Sequence, residues 1–253
     1  MLDVSERFWN ASLEDLRRGY VREGDYYWCL LCGKALEQGV VYPAEGVFYE
    51  AERYMRIHIE RAHQSVFDHL IGLDKKLTGL TEHQSRLLRL FYQGKNDKEV
   101  QQEMGIGSAS TIRNHRFALK EKERQAKVYL TLMELLKDNV KHAPSFIEVH
   151  TSATMIDDRY NITLEEEEAV LQKYFPQEAG GRLKTFHLKE KQKVVVLREI
   201  ARRFQQERVY SEKEVNEILQ EVYDDYVTIR RYLIEYGFMD RKPDGSQYWL
   251  MAR

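Results

Sequence analysis

From Thr111 to about Asn139 the chain contains neither glycine nor proline, and a stretch of that length without a breaker or an internal cap reads as one long helix. At 1.5 Å per residue it would run roughly 40 Å, further than a small domain is wide. A chain of 253 residues has a prior of one or two domains, with three small modules also open, and a helix this long has to extend beyond whichever module it starts in. Its apolar positions Leu119, Val128, Leu132, Leu135 and Leu136 continue to the far end. A homodimer through this helix is therefore expected.

Apolar residues at 43% can build compact cores, and charged residues at 32% cover them. The longest strongly apolar run, Val194 to Leu197, is far short of the roughly 20 residues that span a bilayer. The first residues are acidic and aromatic rather than signal-like. The expectation is a cytoplasmic protein with no membrane partner. A net charge of −2 does not by itself suggest nucleic acid, but the charge lies in blocks. Between Ser110 and Lys127, Arg113, Arg116, Lys120, Lys122, Arg124 and Lys127 face only Glu121 and Glu123, whereas Asp157 to Glu168 is strongly acidic.

Punctuation along the chain suggests a mainly α fold with an α+β zinc-finger-like module at 1–77, a helical module at 78–143, a connector at 144–183 and a final module at 184–253. Val40 to Tyr49, with Pro43 and Gly46 inside, predicts a hairpin, and the apolar spacing from Glu52 to Ile71 predicts one helix after it. Thr81 and Asn96 or Asp97 read as N-caps, Gly94 and Gly105 as stops, and Ser108 as the start of the long helix. Pro144 ends that pattern. Ser211 and Glu214 form a capping box. Two short strands, Phe238 to Arg241 and Gln247 to Leu250, close the chain around Pro243, Asp244 and Gly245.

The only cysteines, Cys29 and Cys32, sit two residues apart in a chain with no signal-like start, which points to metal or redox chemistry rather than a disulfide framework. His58 and His63 are separated by four. Each pair has the ligand spacing of a tetrahedral Zn2+ site, with His69 as an alternative fourth ligand. The 25 residues between the pairs exceed the usual finger, so the resemblance to a two-Cys, two-His finger lies at the ligands. Four protein ligands leave no position for a catalytic water, which favours a structural or sensory role.

Thr81, Gln84, Leu87, Leu88, Gly94, Glu99, Val100, Met104, Gly105, Ile106, Thr111, Ile112, His115, Leu119 and Lys122 follow the order and spacing of the LuxR/GerE type of helix-turn-helix, and this segment of about 45 residues resembles that family. The long helix departs from it by continuing past Lys122. The resemblance implies binding to double-stranded DNA through the second helix of the motif. With Ile112 and Leu119 turned inward, Ser110, Thr111, Arg113 and Asn114 lie where bases could be met, and Arg and Asn are the natural readers of guanine and adenine. Arg116, Lys120 and Lys122 are placed to touch phosphate.

From about Tyr174 to Leu250 the chain resembles a bacterial domain of unknown function that recurs among candidate transcription regulators. The residues carrying the likeness include Tyr174, Phe175, Pro176, Leu197, Phe204, Tyr210, Glu214, Val215, Asn216, Tyr223, Asp225, Arg230, Arg231, Gly237, Arg241, Asp244, Gly245 and Tyr248. The resemblance implies a winged helix. Arg230 and Arg231 on its recognition helix, with Arg241 and Lys242 at the wing, could clamp phosphate or pair with acids inside the domain.

Three functions compete at this point. A sequence-specific transcription regulator, probed by duplex binding, leads. A protein-interaction factor acting on RNA polymerase or another regulator comes second. A zinc enzyme is disfavoured, because no zinc-hydrolase histidine motif, phosphate loop or nucleophile elbow is present.

Overall fold

The computed structural model describes residues 4–139, 144–176, 181–206 and 208–251. It is mostly helical with small antiparallel sheets, and among the described residues no helix is long and apolar enough to cross a membrane. The chain divides into two units, Met1–Leu77 with Ser145–Arg253, and Thr78–Pro144.

The first unit begins with two short helices, α1 (Val4–Asn10) and α2 (Leu13–Arg18). Gly19, at φ 82°, ends α2 and turns the chain into an antiparallel sheet of β1 (Tyr20–Glu23), β2 (Tyr26–Cys29) and β3 (Ala35–Glu37), with Tyr20 opposite Cys29 and Trp28 opposite Ala35. The expected hairpin follows as β4 (Val41–Ala44) and β5 (Val47–Glu50). Its two turn residues, Glu45 and Gly46, both have positive φ, the backbone of a tight hairpin whose twist matches the strands.

Helix α3 (Ala51–His63) packs on these strands and closes a core of Phe8, Tyr20, Cys29, Leu30, Leu31, Leu36, Met55 and Ile59. The single helix predicted from Glu52 to Ile71 is in fact broken: α3 stops at His63 and α4 (Val66–Ile71) starts afresh. Ser65 supplies the new N-cap, accepting from the Asp68 N–H at 3.0 Å. Apolar spacing carried through the break, which is why periodicity missed it.

After α5 (Lys75–Thr78), the second unit is built from α6 (Glu82–Tyr92), α7 (Asp97–Met104) and α8 (Ala109–Asn139). Thr81 with Gln84 and Asn96 with Glu99 form reciprocal capping boxes, satisfying amides that would otherwise be orphaned at the helix starts. Gly105, at φ 65°, caps α7 in the left-handed region. Leu87, Leu90, Val100 and Ile112 form the buried core, with Phe91, Met104 and Ile106 packed against it. The long helix is present at 31 residues, and beyond Lys122 its apolar side chains are exposed.

The chain returns to the first unit through a 3-10 turn at Asp158–Tyr160 and α9 (Leu164–Tyr174), then α10 (Glu190–Ala201), β6 (Val209–Tyr210), α11 (Glu212–Val222), α12 (Tyr226–Glu235), β7 (Met239–Arg241) and β8 (Tyr248–Leu250). The sheet order is β6-β8-β7, with Arg241 opposite Tyr248. The Ser211–Glu214 capping box forms as the sequence indicates. In the connector, Phe146 forms an isolated antiparallel bridge with Thr163. Two hydrogen bonds tie this part to the N-terminal part of the same unit: Trp9 Nε1 donates to Val149 O at 2.7 Å, and Lys76 Nζ donates to Ile156 O.

Candidate metal centre

Strand β2 ends on Cys29, and the chain then curls through a knuckle in which the Gly33 N–H donates to Cys29 O at 2.9 Å and the Cys29 N–H donates to Lys34 O at 2.8 Å. That curl brings Cys32 beside Cys29. Gly33 sits at φ 80°, where a Cβ would lie 2.3 Å from Val4 Cγ2, so both backbone sign and space demand glycine.

The histidines reach the same point by a less obvious route. Both lie in α3, His63 as its last residue, and their side chains meet across the roughly 140° that separates residues five apart on an ideal helix. The helix ends there. Gln64 adopts φ 62°, ψ −58° and the Ser65 N–H donates to His63 O at 2.7 Å, the arrangement of a strained γ-turn. A non-glycine residue held there costs on the order of 1–3 kcal/mol, and this turn ends α3 directly after His63.

The outcome is a four-residue cluster whose candidate ligand atoms all lie within 4.8 Å of one another. Cys32 Sγ is 3.2 Å from His58 Nε2 and Cys29 Sγ is 3.7 Å from His63 Nε2. Bond lengths of 2.0–2.3 Å about a tetrahedral ion imply ligand-to-ligand edges of about 3.3–3.8 Å. The donor set therefore fits a metal ion with little adjustment. Cys29 and His58 are buried, while Cys32 and His63 are half-buried. The hydrogen bond with Cys29, and then burial, pushes the Cys32 thiol up to about 12. A divalent cation is the natural replacement for the proton these sulfurs hold between them.

His69 does not join the cluster. Its ring stands edge-on to His63 with centroids 5.6 Å apart, and burial, followed by the proximity of His63, lowers its pKa to about 4. Cys32, His63 and His69 line one side of a cavity whose other wall includes Ser152, Ala153 and Trp249.

Residues 182–250 match a family described as an uncharacterized protein conserved in bacteria (DUF2087). No curated protein and no solved structure matches the chain. The matched stretch lies inside the 174–250 segment that the sequence likens to a bacterial domain of unknown function.

Within the matched stretch, Arg230 is engaged internally: its Nη1 donates to Glu212 Oε1 at 2.7 Å and to Asn216 Oδ1 at 2.5 Å, and the guanidinium lies over the Tyr248 ring. Arg231, Arg241 and Lys242 are exposed. Arg230 thus pairs with an acid inside the domain, and its partners come from α11, a tertiary neighbour that sequence proximity did not reveal.

On α8, Ser110, Arg113 and Asn114 are exposed and Thr111 is half-buried, with Ile112 fully buried behind them. Arg116 is drawn back onto the unit, bonding Asp97 Oδ1 at 2.9 Å and covering the Phe91 ring at 3.7 Å. Lys120 pairs with Glu123 at 2.7 Å, and Lys122 donates to Gly79 O at 3.1 Å. The sequence also did not single out His83, whose Nε2 lies 3.3 Å from that of His115 and joins α6 to α8.

Proposed function

We propose that this chain is a sequence-specific, double-stranded-DNA-binding transcription regulator that works as a homodimer without catalysing a reaction. In this reading α7, the Gly105 turn and the start of α8 form a helix-turn-helix of the LuxR/GerE type, the C-terminal part is a winged helix, and a structural Zn2+ sits between Cys29, Cys32, His58 and His63. An S2N2 tetrahedral donor set suits zinc.

The observation that carries the reading is the face of α8 beside the Gly105 turn. The buried Ile112 fixes the helix phase, leaving Ser110, Arg113 and Asn114 outward, where bidentate contacts to guanine and adenine are each worth about 1–3 kcal/mol of discrimination. Fluorescence anisotropy on the DNA upstream of its own gene, against a shuffled duplex at two salt concentrations, tests it. Preference for the upstream duplex, weakening with salt through counterion release and lost in Arg113→Ala/Asn114→Ala, is the expected result. Equal binding to both duplexes, or none, would overturn it.

One observation favours a protein partner such as RNA polymerase instead. Phe117 is 64% exposed on the same helix, and the nearby cations Arg116, Lys120 and Lys122 already have partners. Retention of a polymerase subunit by the full-length protein, abolished by Phe117→Ala, would support that alternative.

A further inference from the structure

Beyond Lys122, helix α8 carries Val128, Tyr129, Leu130, Leu132, Met133, Leu135 and Leu136, each between 39% and 63% exposed. At 100° per residue these side chains sweep an arc of roughly 220° around the helix. The polar positions Lys127, Thr131 and Glu134 share the narrow arc that remains. That strip is internally satisfied, since Thr131 Oγ1 donates to Lys127 O at 2.9 Å and Glu134 pairs with Lys137 at 2.7 Å.

An ordinary amphipathic helix shows an apolar stripe of about 100° or a little more, and a two-stranded coiled coil uses a narrower seam. Here two seams run side by side. Val128, Leu132 and Leu135 form one, and Tyr129, Met133 and Leu136 form the other, each with the i, i+4, i+7 spacing that places side chains on one face. A single partner helix covers one seam and leaves the other wet.

The geometry points to a four-chain assembly in which the distal halves of four α8 helices form a bundle, each helix using one seam toward each of two neighbours. Further copies of this chain are the fitting occupants. Both seams lie at the same level with the same spacing, so they are self-complementary under closed symmetry. Seven large apolar side chains, each 39–63% exposed on the single chain, make the kind of contiguous apolar patch that monomeric proteins rarely leave uncovered, and one seam holds only three of them. This deepens the homodimer in the proposed function, since each pair of chains shares one seam and two pairs share the other, but it is tested without DNA and so fails or stands apart from the DNA reading.

Light scattering coupled to size exclusion on the full chain, from low to high micromolar concentration, measures the assembly directly. A mass about fourfold the 30.1 kDa chain is expected. Leu132→Glu/Leu135→Glu, which removes one seam, should halve that mass, as should Met133→Glu/Leu136→Glu at the other, and combining all four should give monomers. All these positions are exposed on the single chain, so an unchanged circular dichroism spectrum shows that the variants still fold. A wild-type mass of one or two chains throughout the range, or a tetramer that survives both double variants, overturns the proposal.

Discussion

The N-terminal module and the α6–α8 unit are of similar length and are held together by different physics. The helical unit is assembled from neighbours: capping boxes at Thr81 and Asn96, a glycine stop at Gly105, and a small core of Leu87, Leu90, Val100 and Ile112. The N-terminal module brings Cys29 to His63 across 34 residues and holds a strained turn at Gln64 beside it. One region is built from many local contacts, while the other gathers four metal-ligand-type side chains from distant parts of its sequence into one cluster.

That contrast can be broken most sharply at the metal ligands. Structural zinc sites in small domains contribute apparent binding energies of about 10–16 kcal/mol, so Cys29→Ser is expected to remove the metal and lower the melting temperature of its unit by more than about 10 °C. The α6–α8 unit should keep its own transition. Differential scanning calorimetry with and without a chelator checks this, and two transitions that move together would refute the division.

The converse substitution is Leu87→Ala, which empties a fully buried position in the small helical core and is expected to cost about 2–5 kcal/mol. It should melt the helical unit and abolish duplex binding while the cluster still takes up Co2+ with an unchanged thiolate absorption band.

Protonation gives a subtler probe. Because its hydrogen bond with Cys29 and its burial push the Cys32 thiol up to about 12, it holds its proton at neutral pH and has to release it to bind an ion. Metal loading is therefore expected to acidify a weakly buffered solution by at least one proton per ion. Apparent affinity should rise with pH between about 6 and 8. A pH-independent affinity would remove Cys32 from the ligand set.

The smallest expected effects separate local from long-range control. Thr81→Ala removes a capping hydrogen bond in the helical unit and should cost about 1 kcal/mol. Gln64→Gly relieves positive φ beside the metal site and should be neutral or stabilising by up to about 1 kcal/mol. Urea denaturation of each variant resolves both signs.

What the sequence revealed follows the same division. Caps at Thr81, Asn96 and Ser211 are local chemistry and stand where spacing puts them, and the paired ligand spacings picked out the four residues that come together as a candidate metal cluster. The three-stranded sheet β1-β2-β3 went unread because its strands are only three or four residues long, too short for alternation to register. The break at Gln64, directly after His63, was hidden by apolar spacing that runs through it. Arg230 bonds Glu212 and Asn216 across a helix pair, a tertiary choice that no local pattern encodes.

The first unit is assembled from Met1–Leu77 and Ser145–Arg253, with Thr78–Pro144 between them, and this has a consequence for synthesis. The Trp9 indole cannot meet the Val149 carbonyl until 140 further residues have left the ribosome, a wait of roughly 7–28 s at typical elongation rates. The α6–α8 unit, complete in one stretch, is free to fold during that interval. The nascent N-terminal module is thus exposed without its C-terminal partner, and early capture of metal by Cys29, Cys32, His58 and His63 would protect its aromatic core from misassembly while the rest of the unit is still being made.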